Sequence, residues 1–275
     1  MKEGGYMSII NQPFQGQLGE ILRGELNANY TSFTIFSAFA KNSGVLRLKE
    51  SLEKFRANHG KIKAFIGIDL DGTSYEALLN LFTLCDELYV IHSQNFSTTY
   101  HSKIYLLENS DSAWCAVGSN NLTGGGLWTI FESCSIQTYD LPALSGDLDS
   151  IHSIIDKYID PKYECSAKIT SKEKIDELLG ANYISKEVIQ KIDNISRRNL
   201  KKKKQKKTAL FGYEKVSIPA IVTMDKRRDY FEKPKDPVAD YVVQSSSEKP
   251  AFTNEQFWFE MRKSTGGSRN ILDFL

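Results

Sequence analysis

Apolar positions along the first part of the chain alternate between the two-residue period of a strand and the 3–4 residue period of a helix. Residues 32–39 (SFTIFSAF) are dense in β-formers. In residues 43–57, Val45, Leu48, Leu52 and Phe55 then recur at helical spacing. Residues 61–68 (KIKAFIGI) read as a strand. Residues 73–84 return to helix, with Ser74 placed to cap it and Leu78, Leu81 and Phe82 on one side. A short strand over 87–92 is followed by three closely spaced β-like segments, 99–107, 112–117 and 130–138, and by a helical pattern over 141–159. Strand–helix–strand units followed by adjacent strands predict an α/β fold, a mixed β-sheet flanked by helices.

After Pro161 the pattern changes. Thr170 and Glu173 have the spacing of a capping box ahead of a short helix. Ile184, Val188, Ile192 and Ile195 mark a second amphipathic helix. That helix runs into Arg197, Arg198, Lys201, Lys202, Lys203, Lys204, Lys206 and Lys207. Beyond it lie short β-like pieces at 213–223 and 241–244 and a turn-like segment at 265–270. Two parts are therefore expected: a domain over 1–160 and a basic C-terminal region over 161–275, helical and then mixed β and irregular. The formal charge of +1 conceals this division. Residues 1–160 carry 11 Lys and Arg against 18 Asp and Glu, and residues 161–275 carry 24 against 16. The second part suits a polyanion.

Composition narrows the class. With 41% apolar and 25% charged residues over 275 positions, the chain has the balance of a globular protein able to bury a core without staples. The longest apolar stretch, residues 33–40, is far too short to span a bilayer and carries Thr34 and Ser37. The opening residues lack a secretory apolar core, so a cytoplasmic protein with no membrane partner is expected. Cys85, Cys115, Cys134 and Cys165 show no CxxC spacing and read as reduced, buried thiols.

The chemistry concentrates around residues 100–108 (YHSKIYLLE). Strand alternation puts His101, Lys103 and Tyr105 on one face, and Ser102, Ile104 and Leu106 on the other, toward a core. An imidazole and an ammonium about 7 Å apart along a strand suit a phosphate. Further on, the apolar run 114–117 breaks into Gly118, Ser119, Asn120 and Asn121, as a strand does at a polar rim where Ser and Asn can donate. Glu132 then places a carboxylate in an otherwise apolar strand, where it needs a partner such as His or Lys. The glycines at 124–126 lack the Gly-Lys-Ser/Thr context of a phosphate loop and read as a turn or a helix start.

His101-x-Lys103 with an acid at 108, then Gly118-Ser119-x-Asn121 and Glu132, resembles the HKD motif of the phospholipase D superfamily. The resemblance covers residues 20–160. It is nearest to the single-motif nucleases related to restriction endonucleases, particularly through residues 61–73. Two departures are visible: Glu108 stands where Asp is usual, and the segment before Gly118 is longer. The resemblance implies a phospholipase D-like nuclease domain over 1–160 and catalysis without metal or cofactor. It makes His101 the nucleophile, with Lys103, Ser119 and Asn121 as donors to the phosphoryl group and Glu132 orienting the imidazole. In-line displacement needs groups on opposite sides of phosphorus, and the superfamily meets this with two facing motifs. This chain offers one, because His59-x-Lys61 has no Gly-Ser-x-Asn after it. A homodimer with the site on its two-fold axis is therefore implied.

The expected activity is metal-independent cleavage of DNA in restriction or phage defence, alongside a helicase-like ATPase or another defence-system subunit. Two readings compete with it. One is a lipid phosphodiesterase or phosphatidyl transferase, which calls for an apolar membrane-facing surface. The other is a non-catalytic nucleic-acid-binding subunit. The basic run is expected to contact DNA phosphates; a solvated linker or an import signal would use the same residues.

Overall fold

The computed structural model describes residues 7–95 and 97–187. Among the described residues, eight strands form one sheet in the order β1-β7-β6-β5-β2-β3-β4-β8. They are β1 Met7–Gln12, β2 Ser32–Ser37, β3 Lys61–Gly67, β4 Glu87–Ile91, β5 Lys103–Glu108, β6 Ser112–Gly118, β7 Glu132–Asp140 and β8 Ser166–Lys168. The helices are α1 Leu18–Glu25, α2 Asn42–Ala57, α3 Tyr75–Leu84, α4 Asp149–Ile159 and α5 Lys172–Gly180. β2, β3 and β4 run parallel, joined through α2 and α3, and every other pairing is antiparallel. This is the mixed, helix-flanked α/β sheet expected from the sequence.

Alternation along the strands sends side chains to two separate cores. On one face Phe36, Phe65 and Tyr89 lie directly opposite one another on β2, β3 and β4, stacked at 5.0 and 5.1 Å between ring centroids. Tyr158, Ile151, Ile154 and Ile155 of α4 close over that ladder. On the other face Phe33 meets Phe55 of α2 edge-on, and Val45, Leu48 and Leu52 of α2 are fully buried, as their spacing predicts. Ser74 caps α3 by accepting from Ala77 N at 3.3 Å.

Other expectations need adjustment. α5 begins after Ser171 rather than Thr170, and Ser171 makes no side-chain capping bond. The helical pattern of 141–159 yields α4 only from Asp149 onward, after a 3-10 turn over Ser145–Leu148. β8 and α5 pack on β4 and α3, so chain beyond residue 160 joins the sheet. Ser185 bridges to Ser74, so Ile184 precedes rather than opens a helix. The rest of that amphipathic pattern, the basic run, the later β-like pieces and the turn at 265–270 lie outside the described residues.

β1 and α1 were not visible in the sequence. β1 leaves Met7 and Ile9 exposed, so its apolar residues mark no core. α1 is two turns long and interrupted by Gly19, where a Cβ would lie 2.2 Å from the Trp128 indole. That indole is fully buried, donates to Glu20 Oε1 at 2.7 Å and lies under the guanidiniums of Arg23 and Arg47.

Candidate active site

The strand directions bring the polar residues to one edge. The C-terminal ends of β1, β2, β3, β4 and β6 and the N-terminal ends of β5 and β7 all face the same way. β5 begins only at Lys103, so His101 stands just outside the ladder, exposed to solvent. Freed from pleat spacing, the two side chains meet. Lys103 Nζ lies 2.6 Å from His101 Nδ1 and donates to the His101 carbonyl at 2.8 Å. The sequence placed them a strand period apart; the structure places them in contact. Lys103 itself is 6% exposed. Burial pushes its ammonium below the ordinary lysine value, and the Glu132 charge opposes that shift.

Ser119 and Asn121 are held by bonds to distant strands. At Gly118 a Cβ would meet Ser133 O at 2.4 Å, so only glycine lets β6 approach β7 this closely. Ser119 Oγ accepts from Ser133 N at 3.1 Å and donates to Ser133 O at 3.3 Å, beside Glu132. Asn121 Oδ1 accepts from Phe39 N at 3.2 Å, while its Nδ2 makes no hydrogen bond among the described residues. The next residue is anchored as well: Leu122 N donates to Ser37 Oγ at 2.8 Å, and Lys41 N donates to Leu122 O at 3.0 Å. Phe39, fixed by this clasp, meets the His101 ring edge-on with centroids 5.7 Å apart. Asn120 is buried beneath, donating to Gly126 O at 2.8 Å and accepting at its carbonyl from Tyr105 OH at 3.0 Å.

Glu132 is half-buried at the start of β7, and its charge acts on Lys103. It makes no hydrogen bond with His101 among the described residues. The triglycine segment opens a single π turn, Gly125–Thr129, whose Gly126 N–H is taken by Thr123 Oγ1 at 2.8 Å. Glu108 stands at the far end of β5, 2.9 Å from His152 Nε2 on α4, away from this edge. The eight basic residues from Arg197 to Lys207 lie outside the described residues. Among the described residues, no group of three or more His, Cys, Asp and Glu is placed to hold a metal ion. No described helix is long and apolar enough to cross a membrane.

Several participants at this edge carried no sequence signal. Ser37 and Phe39 looked like ordinary residues of an apolar strand. Asp69 and His92, from the ends of β3 and β4, are joined at 2.5 Å, and Asp69 Oδ2 accepts from the backbone N–H of Tyr100 at 2.9 Å.

No family model and no curated protein matches the sequence. Among solved structures, the chain is similar to Nuc, a phospholipase D family member from Salmonella typhimurium, at 15% identity over 61% of this chain and 100% of that one, with a TM-score of 0.43. It is similar to NucT from Helicobacter pylori at 10% identity over 56% of this chain and 97% of that one, with a TM-score of 0.42. The likeness to phosphatidylserine synthase from Haemophilus influenzae has 11% identity over 73% of this chain and 48% of that one, with a TM-score of 0.48.

Proposed function

We propose that the chain is a phosphodiesterase that cleaves DNA through a phosphohistidine at His101, in an active site completed by a second copy of the chain. The observation that carries this reading is the Lys103 ammonium seated 2.6 Å from an exposed imidazole, at an edge where Ser119, Asn121 and Glu132 converge.

A phosphate entering this edge meets the exposed imidazole, with the buried Lys103 ammonium directly behind it. Its oxygens draw Lys103 off His101 Nδ1 and leave the ring free to attack phosphorus. The new N–P bond forms as the P–O bond to the leaving group breaks, and the imidazole of the second copy protonates the departing alkoxide. The same imidazole then takes a proton from water as that water attacks the phosphohistidine and releases His101. Lys103 and the free amide of Asn121 stabilise the charge on the phosphoryl oxygens. Glu132 favours the charged form of Lys103.

The rim of this edge supports a covering second copy. Phe14 and Phe131 are 69% and 62% exposed and stack at 5.5 Å, while Leu70 is 76% exposed. Lone exposed apolar residues are ordinary, but these follow β1, follow β3 and precede β7, on the sheet edge that carries the imidazole. The charge excess of residues 161–275 favours a nucleic acid as substrate. A restriction or phage-defence setting with an ATPase companion belongs to the same proposal.

The apolar rim also favours a second reading, a phosphatidyl lipid as substrate. Purified protein incubated with DNA or with phosphatidylglycerol vesicles in EDTA separates the two. DNA cleavage that is lost in His101→Ala, at dimer mass in solution, is expected. Vesicle hydrolysis with intact DNA would assign the lipid reading, and a fully active monomer would remove the shared site.

A further inference from the structure

Asp69 and His92 are the strongest polar group at the catalytic edge that the proposed chemistry leaves unused. Asp69 is 8% exposed, and each of its oxygens has a different partner. Oδ1 lies 2.5 Å from His92 Nδ1, and Oδ2 accepts from Tyr100 N at 2.9 Å. Tyr100 is the residue before His101, whose backbone precedes the first ladder bonds of β5. With no strand ladder here, Asp69 is what holds the backbone N–H of Tyr100, while the Tyr100 ring is packed in the core and Lys103 holds the His101 carbonyl.

The loop that carries Asp69 is built at a cost. Leu70 and Asp71 are non-glycine residues in the left-handed region, at φ of 55° and 53°. The bonds that over-determine this turn are Gly72 N to Asp69 O at 3.0 Å, Thr73 Oγ1 to Gly67 O at 2.6 Å and Lys41 Nζ to Asp71 O at 3.0 Å. The same loop supports the other side of the imidazole. A Cβ on Gly72 would lie 1.8 Å from the Phe39 ring, and Phe39 is the ring against which His101 rests. His92 is fixed in turn, with its backbone N–H on Cys165 O at 2.9 Å and its ring edge-on to Tyr183 at 4.9 Å.

We infer that Asp69 and His92 are a positioning pair for the catalytic imidazole: Asp69 clamps the peptide entering His101, and His92 holds the Asp69 carboxylate in the orientation that makes the clamp. Neither residue touches the reacting phosphate. The inference rests on His101 being the nucleophile. It predicts that losing the clamp slows the chemical step and leaves substrate binding alone.

The test uses the full-length protein with labelled DNA in EDTA. Asp69→Ala should lower kcat by up to about a hundredfold while KM stays within about twofold. Asp69→Asn keeps an acceptor for Tyr100 N and should recover most of that loss. The Asp69→Ala/His92→Ala double variant should be no slower than Asp69→Ala, as expected for residues acting as one unit. A wild-type rate in Asp69→Ala would overturn the inference, as would a loss of kcat that Asn leaves unrepaired. If Asp69→Ala fails to fold, Asp69→Asn and His92→Ala decide in its place. They should retain most of the rate and lose part of it, respectively, with KM unchanged in both, and a KM that rises with the loss would overturn the pair. If the wild type leaves DNA intact, the phosphodiesterase reading falls and the clamp is judged without substrate. The Tyr100 amide should exchange slowly with deuterium in the wild type and in Asp69→Asn and rapidly in Asp69→Ala. Equal rates in all three would remove the clamp.

Discussion

Replacing Gly44 by alanine perturbs the site from behind. Gly44 lies in the first turn of α2, where a Cβ would come within 2.6 Å of Thr123 Cα and 2.7 Å of Leu122 C and O. All three are backbone atoms, so no side-chain rotation relieves the contact. To reach the 3.4 Å of an ordinary contact, residues 122–123 must withdraw by roughly 1 Å, and they pull on Asn121 directly. Overpacking of this kind costs about 1–3 kcal/mol, and each kcal/mol lowers the Tm of a chain this size by about 2–4 °C. A misplacement of about 1 Å in a positioning loop lowers the chemical rate by up to about a hundredfold. Gly60→Ala is the matched control. Its Cβ would lie 2.3 Å from the ring of Phe55, which is 2% exposed, at the end of α2 remote from His101. Thermal melts and single-turnover cleavage in EDTA should show both variants destabilised and only Gly44→Ala slow. Equal rates in the two variants at equal loss of Tm would refute a catalytic role for the segment carrying Ser119 and Asn121.

Burial holds Lys103 below the ordinary lysine value, so the alkaline limb of the pH–rate profile should fall below the ordinary lysine range; Lys103→Arg should move that limb upward, and a limb unmoved by the substitution would assign it to another group. Glu87 is held at about 2 by Lys168 of β8, with Tyr89 and Lys63 adding to it. Its folded value is depressed, so its contribution is full above the unfolded value near 4.5 and is lost as pH falls toward 2. Solvent screening reduces that contribution to about 1 kcal/mol, so Glu87→Gln should lower Tm at pH 7 and converge with the wild type in acid, as melts across pH would show. Neutralising Lys201, Lys202, Lys203, Lys204, Lys206 and Lys207 should weaken DNA binding and flatten its salt dependence; an unchanged slope would make the run a linker.

What the sequence disclosed and what it concealed follow from the range of the interactions. Alternation and helical spacing are local, and they located β2 through β7, α2 and α3, while the resemblance to the HKD motif grouped His101, Lys103, Ser119, Asn121 and Glu132. The contact between Lys103 and His101 was not legible, because His101 lies two residues before β5 begins and its side chain leaves pleat spacing. The clasp from Asn121 to Phe39 joins residues 82 apart in sequence, so no window on the chain contains both. Asp69 sat in a turn-like stretch and His92 in an apolar strand, and only the parallel pairing of β3 with β4 makes them partners. β1 was hidden for the opposite reason: its apolar residues face solvent at the sheet's edge.

The central claim is that the imidazole of His101 takes the phosphoryl group. Rapid acid-free quenching of a single turnover on labelled DNA in EDTA, followed by peptide mass spectrometry, tests it directly. A transient, acid-labile, alkali-stable adduct mapping to His101 and absent from His101→Ala is the expected result. Cleavage that requires added magnesium and leaves His101 unmodified throughout the turnover would contradict it.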